Sequence, residues 1–545
     1  MKAKGSKPDP TGYNAQNAEA YGVYNENEFR SPLVAALSTF SADVNTASYS
    51  NVRRILNDGQ LPPASAVFLA EFVNYFPYQY AQPKGDDPVA FHVEMGPCPW
   101  NRKHHLVRVG VQAYQIPADK MPARNLVFLI DTSGSMAQEN RLPLVKKSLA
   151  LLVEQLTEKD RVSIVTYAGD SRVALMPTKG TDTKTILSTI DGLGANGGTN
   201  GEGGIRRAYE LARATFLDGG VNRVILCTDG DFNVGVTDNG DLVKLIEEQR
   251  RSKVFLTILG YGMGNYKDNR LKELANHGNG HHAYIDTLDE AKKVFVEQGG
   301  ALVCVAKDVK FQVDFNPAKV NAYRLVGYEN RLLKDEDFKN DAKDAGDMGS
   351  GHQVTVLYEI VPTGVQIDLP GVDPSKYQKP KDVPVGVADE WMTVKMRYKH
   401  PEADPSKELA HPLKGGVAKE LSDDFRFAAA VASFGMILRD SKYRGAMTYA
   451  GVLEEAKGCV GADPNGHRKQ FLELAATARG LGAGEPGAGA LAAATGIDEK
   501  TIRKLAETWS VEGPPARSKK LEEALATIPA EHHAAVKAYF DALEK

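Results

Sequence analysis

A chain of 545 residues is longer than one hydrophobic core sustains, and its length alone suggests about three to four domains. With 42% hydrophobic and 25% charged residues it has an ordinary globular composition, and a net charge of −4 leaves no general basic surface for nucleic acid. The longest apolar stretch, Phe427–Leu438, falls short of the ~20 residues that span a bilayer, so no transmembrane segment is expected.

In chain order, Met1–Pro10 has no apolar centre and does not read as a signal peptide. Residues 1–30 are polar and aperiodic, a flexible lead-in. Residues 31–85 read as a helical segment. Within it Ser48 caps a short helix with Val52, Ile55 and Leu56 on one face, and Asp58-Gly59 stops it. Pro62-Pro63 then opens a second piece that runs through Phe72–Phe76. Alternating runs at Val89–Met95 and Leu106–Ala113 predict strands of a half-exposed antiparallel sheet.

From 123 to 302 strands and helices alternate. Strands are predicted at Leu126–Asp131, Val162–Tyr167, Val173–Met176, Arg223–Thr228 and Val254–Gly260. Helices are predicted near 141–156, 201–217, 240–251, 269–276 and 288–298. That alternation is the pattern of a Rossmann-like, doubly wound α/β domain with a mostly parallel sheet. Alternating runs return at Ala306–Phe315, Gln353–Ile360 and Trp391–Tyr398. The expectation is a β-sandwich split between 86–122 and 303–400, with the α/β domain inserted into it. Residues 401–480 read as a helical region, 481–491 as a glycine-rich linker and 492–545 as a small helical tail.

The densest chemistry lies at three strand ends. Asp131-Thr132-Ser133-Gly134-Ser135 follows the buried run Asn125–Ile130 and leads into a helix. Gly197–Gly201 is a glycine-rich loop that carries Thr199, and the apolar strand from Arg223 ends at Asp229. Oxygen donors at the carboxyl ends of strands are where α/β sheets bind ligands. Two carboxylates with neutral oxygens suit a hard divalent cation, Mg²⁺ first, with Mn²⁺ or Ca²⁺ as options. Phe232 and Asn233, just beyond Asp229, would lie on the rim of such a site and face a partner.

Other readings of the first segment are an N-capping turn or a phosphoaspartyl nucleophile. The latter lacks a second Asp two residues on and an identifiable lysine partner. Neither a nucleophile elbow nor a phosphate-binding loop is present.

The pattern Asp-x-Ser-x-Ser, with a distant Thr and a distant Asp, resembles a von Willebrand factor A domain with an intact metal-ion-dependent adhesion site. The resemblance implies that Ser133, Ser135 and Thr199 bind the cation through their hydroxyls. Asp131 and Asp229 would act mainly through bridging water or hydrogen bonds. One octahedral position would stay open for a carboxylate supplied by a protein partner. Asn45–Arg54, Glu71–Tyr78, Phe91–Trp100, Asp308–Pro317, Tyr323–Arg331 and Phe427–Met436 are similar to segments of bacterial YfbK-like A-domain proteins. Members of that family often begin with a lipoprotein-type signal, which implies a cell-envelope location over the cytoplasm. This chain shows neither that signal nor a lipidated cysteine.

The expected function is metal-dependent protein interaction or adhesion without enzymatic activity. The alternatives are an intracellular assembly factor that works with a chaperone-like ATPase, and a metal-dependent hydrolase. The pattern leaves the oligomeric state open. Four scattered cysteines do not make a disulfide framework, although Cys98 and Cys304 would pair if their strands met, and Cys227 reads as a small core residue. The adjacent pairs His104-His105, His281-His282 and His532-His533 read as structural, because neighbours on a strand point to opposite faces. The acidic run Lys334–Asp347 reads as a solvated loop, and Trp100 as an anchor in the core.

Overall fold

A computed structural model describes residues 21, 25–43, 45–230, 239–263, 268–343, 345–367, 369, 389–401, 405–481 and 533. The expected linker and tail thus lie outside the described residues apart from 481 and 533, as do 1–20 of the lead-in. Residues 25–30 are fastened to the body. Asn27 donates to the carbonyls of Leu325 (3.1 Å) and Gly327 (2.7 Å), and Arg30 bridges Tyr323.

The chain opens with strand β1 (Leu37–Ser41) and helices α1 (Ala47–Asn57) and α2 (Leu69–Val73). Ser48 does not cap α1. It lies inside the helix, where its hydroxyl donates to Ala66 O (2.6 Å) and accepts from Phe68 N (2.9 Å), tying α1 to the turn that follows. Strands β2 (Val89–Cys98) and β3 (Asn101–Ala113) form a hairpin.

The α/β unit follows. It contains β4 (Arg124–Asp131), α3 (Leu142–Val153), β5 (Arg161–Tyr167), β6 (Ser171–Lys179), α4 (Thr183–Asp191), α5 (Gly201–Ala214) and β7 (Val221–Thr228). It continues with α6 (Asn239–Arg250), β8 (Phe255–Tyr261), α7 (Asp268–His277), β9 (His282–Ile285) and α8 (Leu288–Lys292). The strand order is β6-β5-β4-β7-β8-β9, parallel throughout except for β6. Both faces of this sheet are covered, which is why its central strands are near-continuous apolar runs. Leu126, Phe128 and Ile130 pack toward α3 and α4, whereas Val127 and Leu129 pack toward α5 and α7. Helix α5 buries Gly201, Gly204, Ile205, Ala208, Tyr209 and Ala212, one stripe at helical spacing.

The chain then returns to antiparallel strands: β10 (Cys304–Phe315), β11 (Val320–Val326), β12 (Gly346–Gly349), β13 (Gln353–Pro362), β14 (Glu390–Lys399) and β15 (Ser406–Lys414). Two sheets result, β1-β10-β14-β15 with β12 beside β10, and β11-β13-β3-β2. They share one core that includes Val109, Val111, Phe311, Val313, Val356 and Met396. Strands before and after the α/β unit therefore pair with each other, as the alternating runs predict.

Several elements depart from the sequence reading: β9, β11, β12 and α4 have no predicted counterpart, and two strands fall where helices were expected. β1 falls in the segment read as helical, and β15 lies past residue 400, where only helices were expected. β15 is an edge strand rich in Lys and Glu with Pro412 in it, which hides its apolar alternation. The Cys98–Cys304 disulfide does not form. Both thiols are free, on β2 of one sheet and β10 of the other.

Helices α9 (Asp423–Leu438), α10 (Tyr449–Lys457) and α11 (His467–Gly480) complete the described fold. Ser422 caps α9 by accepting from Phe425 N (3.1 Å), and Asp423 and Asp424 in its first turn suit the helix dipole. α9 to α11 share one aromatic core with α1 and α2. Phe427 meets Phe76 edge-on at 5.0 Å and Phe471 at 5.4 Å. Helical segments from distant parts of the chain thus form a single cap. Among the described residues, no helix is long and apolar enough to cross a membrane.

Trp100, His104 and the acidic run are absorbed by the fold, and His532 lies outside the described residues. Trp100 Nε1 and His104 Nδ1 both bond the buried carboxylate of Glu359, at 2.9 and 2.6 Å. In the acidic run, Asp335 accepts from Thr39, Asp341 from Arg397 and Ser406, and Asp347 from the backbone of Asp308. These carboxylates serve separate strands.

Candidate metal centre

β4 is the first strand of the α/β unit and lies inside its sheet, with β5 on one side and β7 on the other. A crevice opens beyond the carboxyl ends of strands where the chain order reverses in this way. Asp131 is the last residue of β4 and is fully buried. Its Oδ1 accepts from the Ser133 backbone N–H (2.9 Å), which folds the turn back on the strand end. Its Oδ2 accepts from the Tyr167 hydroxyl (3.0 Å) on β5 and from the Thr228 hydroxyl (3.4 Å) on β7. One carboxylate thus joins three neighbouring strands.

The Ser133 and Ser135 hydroxyls lie 3.0 Å apart. Ser133 is buried and Ser135 is exposed, so the pair faces outward. The loop bearing Thr199 is held beside them by its backbone. Asn196 N donates to Thr132 O (2.8 Å), Gly134 N to Gly197 O (3.1 Å) and Asn200 N to Ala168 O (2.6 Å). Gly197 has φ +81°, a left-handed conformation that a side chain would strain. Asn200 then caps α5 by accepting from Gly203 N.

Asp229, one residue past β7, is buried and takes Arg141 Nη1 at 2.8 Å. The same Nη1 donates to Ser135 O (2.7 Å), so Arg141 ties the end of β7 to the turn after β4. Burial pushes the Asp131 carboxyl up to about 6. The Ser133 hydrogen bonds oppose that rise and the charge of Asp229 adds to it. All five oxygen-bearing residues singled out in the sequence lie in these three converging segments. Phe232 and Asn233 lie outside the described residues.

Sequence reasoning did not single out Arg141, Tyr167 or Thr228. A charged residue at a helix start reads as solvated, and Tyr167 reads as the last apolar residue of a strand. The donor set is all oxygen, two carboxylates and three hydroxyls, which are the ligands that Mg²⁺, Mn²⁺ or Ca²⁺ accept. Ser133, Ser135 and Thr199 could hold such an ion directly, with Asp131 and Asp229 behind them.

Comparison with known proteins follows the same division of the chain. Residues 125–297 match the von Willebrand factor type A domain model, residues 15–108 a von Willebrand factor model, and residues 300–481 the carboxyl-terminal model of the uncharacterized protein YfbK. The uncharacterized protein YfbK of Escherichia coli is 41% identical over 490 residues, covering 88% of this chain and 84% of that protein. Human inter-alpha-trypsin inhibitor heavy chain H4 is 27% identical over 147 residues, 26% of this chain and only 16% of that protein. A von Willebrand factor type A structure from Catenulispora acidiphila aligns over 73% of this chain and 91% of its own, at 14% identity and a TM-score of 0.39. With the α/β domain matched and the flanking regions shared along most of its length, the chain belongs to the YfbK family of von Willebrand factor A-domain proteins.

Proposed function

We propose that this protein binds a protein partner through a divalent cation held at the end of β4. The A domain supports an interaction or adhesion role in general terms. The metal-dependent form of that role is our reading. The observation that carries it is the convergence of Asp131, Ser133, Ser135, the Thr199 loop and Asp229 at the carboxyl ends of the two central strands, with Ser135 exposed. Ser133, Ser135 and Thr199 would hold the cation, Mg²⁺ in the first instance. Neutral hydroxyls leave such an ion under-neutralised, so it would supply a Lewis-acidic contact for a carboxylate of the partner. No residue is assigned a catalytic role.

The test is capture of partner protein from an extract of the native organism, with Mg²⁺ or with EDTA. Wild-type protein is expected to retain a partner only with Mg²⁺, and a glutamate-rich peptide should compete it off. Asp131→Ala and Thr199→Ala should retain none. Capture that is indifferent to EDTA and to both substitutions would contradict the proposal.

A further inference from the structure

A cleft of about 360 Å³ lies where the A domain meets the β-sandwich. Small-molecule sites span roughly 300–1,000 Å³. One wall is the end of α7 and the turn into β9, with Asn276, His277 and Asn279. It stands at the amino ends of the parallel strands, opposite the candidate metal centre. The other wall comes from the sandwich, with Asp43 after β1 and Asn330 and Arg331 after β11.

The charged groups of this cleft come in pairs. Arg331 meets Asp43 at 2.9 Å, and His277 meets Glu247 at 2.8 Å. A guanidinium beside a carboxylate sets N–H donors next to acceptor lone pairs, and one contact saturates neither group. Amides add both kinds of group. Asn279 Oδ1 accepts from Arg250 (2.8 Å), and Asn276 Oδ1 has no hydrogen-bond partner among the described residues.

A recess of about 10 Å³ adjoins the cleft and shares Asp43, Asn330 and Arg331 with it. Asn45 lines this recess and is 3% exposed. Its Oδ1 accepts from His282 N (3.1 Å), but its Nδ2 has no hydrogen-bond partner among the described residues. The space admits one group the size of a hydroxyl.

We propose that this cleft binds a neutral, hydroxyl-rich ligand of mono- or disaccharide size. Adjacent sugar hydroxyls each donate and accept, which matches paired donors and acceptors on both walls. Arg331 and Asp43 hold one pair of hydroxyls, Asn276 bonds from the opposite wall, and Asn45 Nδ2 donates to a hydroxyl in the recess. A charged ligand would have to compete with the Arg331–Asp43 and His277–Glu247 pairs. A peptide would need a strand edge, and the edge of β1 is taken here: Ser41 N donates to Arg331 O and Leu333 N to Thr39 O, both at 2.9 Å. Because the two walls belong to different domains, the bound ligand ties the A domain to the sandwich. The cleft is independent of the metal reading.

Saturation-transfer NMR and calorimetry of the full chain with glucose, galactose, N-acetylglucosamine, maltose and sucrose test the proposal. At least one of these sugars is expected to bind with a dissociation constant of about 1 mM and to raise the melting temperature. Asn276→Leu and Asn330→Leu, one on each wall, should each lower that affinity about tenfold. EDTA should leave the affinity unchanged, which separates this site from a sugar bound at a cation. Inorganic phosphate, the anionic control for the exposed Lys343 that also lines the cleft, should not compete.

Capture on beads that carry the bound sugar through its reducing end assigns the ligand as the end of a glycan chain, and binding in solution alone assigns a free sugar. No binding across the panel, undiminished binding in both variants, loss with EDTA or competition by phosphate overturns the proposal. If neither variant folds, wild-type crystals soaked in the bound sugar decide. Ring density between Asn276 and Arg331 supports the site, and density confined elsewhere, or none, overturns it.

Discussion

Two regions of this molecule gather the same ingredients and use them differently. At the seam between the helical cap and the A domain, Asp286 and Glu290 face Arg53 of α1, which bonds both, and the Tyr75 hydroxyl donates to Glu290 at 2.7 Å. At the end of β4, Asp131 feels the charge of Asp229, and Arg141 bonds Asp229. Each cluster has two carboxylates and one guanidinium. The seam adds a second cation. Lys293 is buried there, donates to Tyr75 O (2.6 Å) and faces Glu290, and burial pulls its ammonium down to about 7 against the pull of Glu290. The turn has burial pushing Asp131 itself up to about 6, and it opens to solvent at Ser135. A charged group closed into a seam is a fastening, whereas a carboxyl raised at an open turn ringed by hydroxyls is one that the proposed cation would compete for with protons.

That contrast can be broken or sharpened by experiment. The largest effect is expected from Arg53→Met, which leaves Asp286 and Glu290 buried without their guanidinium and should cost ~3–5 kcal/mol. Urea unfolding should show the same loss with and without Mg²⁺, because the seam is a fastening. A loss that Mg²⁺ repairs would erase the distinction.

At the turn the pattern reverses. Thr199→Ala should leave cation-free stability nearly unchanged but remove the stabilisation that Mg²⁺ or Mn²⁺ gives wild type. That stabilisation is worth about 2.7 kcal/mol at a hundredfold excess over the dissociation constant. Thermal unfolding across a cation series measures it, and a full shift in the variant would take Thr199 out of the site.

The two clusters hold groups shifted in opposite directions, Asp131 up and Lys293 down. Asp131 must lose its proton for a cation to bind, so Mn²⁺ affinity should fall about tenfold between pH 7 and pH 5. A flat profile by calorimetry would contradict the assignment of Asp131 as part of the centre. Lys293 has a folded value of about 7, below the ~10.4 of an unfolded lysine. Between those values the unfolded chain binds the extra proton, so native stability rises with pH. The smallest expected effect is the loss of that slope in Lys293→Met, roughly 1 kcal/mol between pH 7.5 and 8.5.

The same contrast explains what the sequence makes legible. The turn after β4 is visible because parallel strands buried on both faces leave continuous apolar runs, and polar residues at their carboxyl ends stand out against them. Asp131, Ser133, Ser135, Thr199 and Asp229 can therefore be picked out one by one. The seam is invisible, because Arg53, Asp286, Glu290 and Lys293 lie on helices and loops where charge reads as solvated. Periodicity shows that α1 and α9 each have a buried face, but not that the two faces share a core. Arg141 is hidden for the same reason, and Gly262, at φ +77°, gains meaning only from the Arg141 side chain packed against its backbone. β1 and β15 are missed because an edge strand needs little apolar alternation, and Ser48 because its bonds run to residues 66 and 68 rather than along its own helix.

The central claim is that the end of β4 holds a cation. Anomalous diffraction from crystals grown with saturating Mn²⁺ tests it most directly. The expected result is a peak bordered by the hydroxyl oxygens of Ser133, Ser135 and Thr199, absent in Asp131→Ala. No peak at that position in wild type, or a peak that persists unchanged in the variant, would contradict the claim.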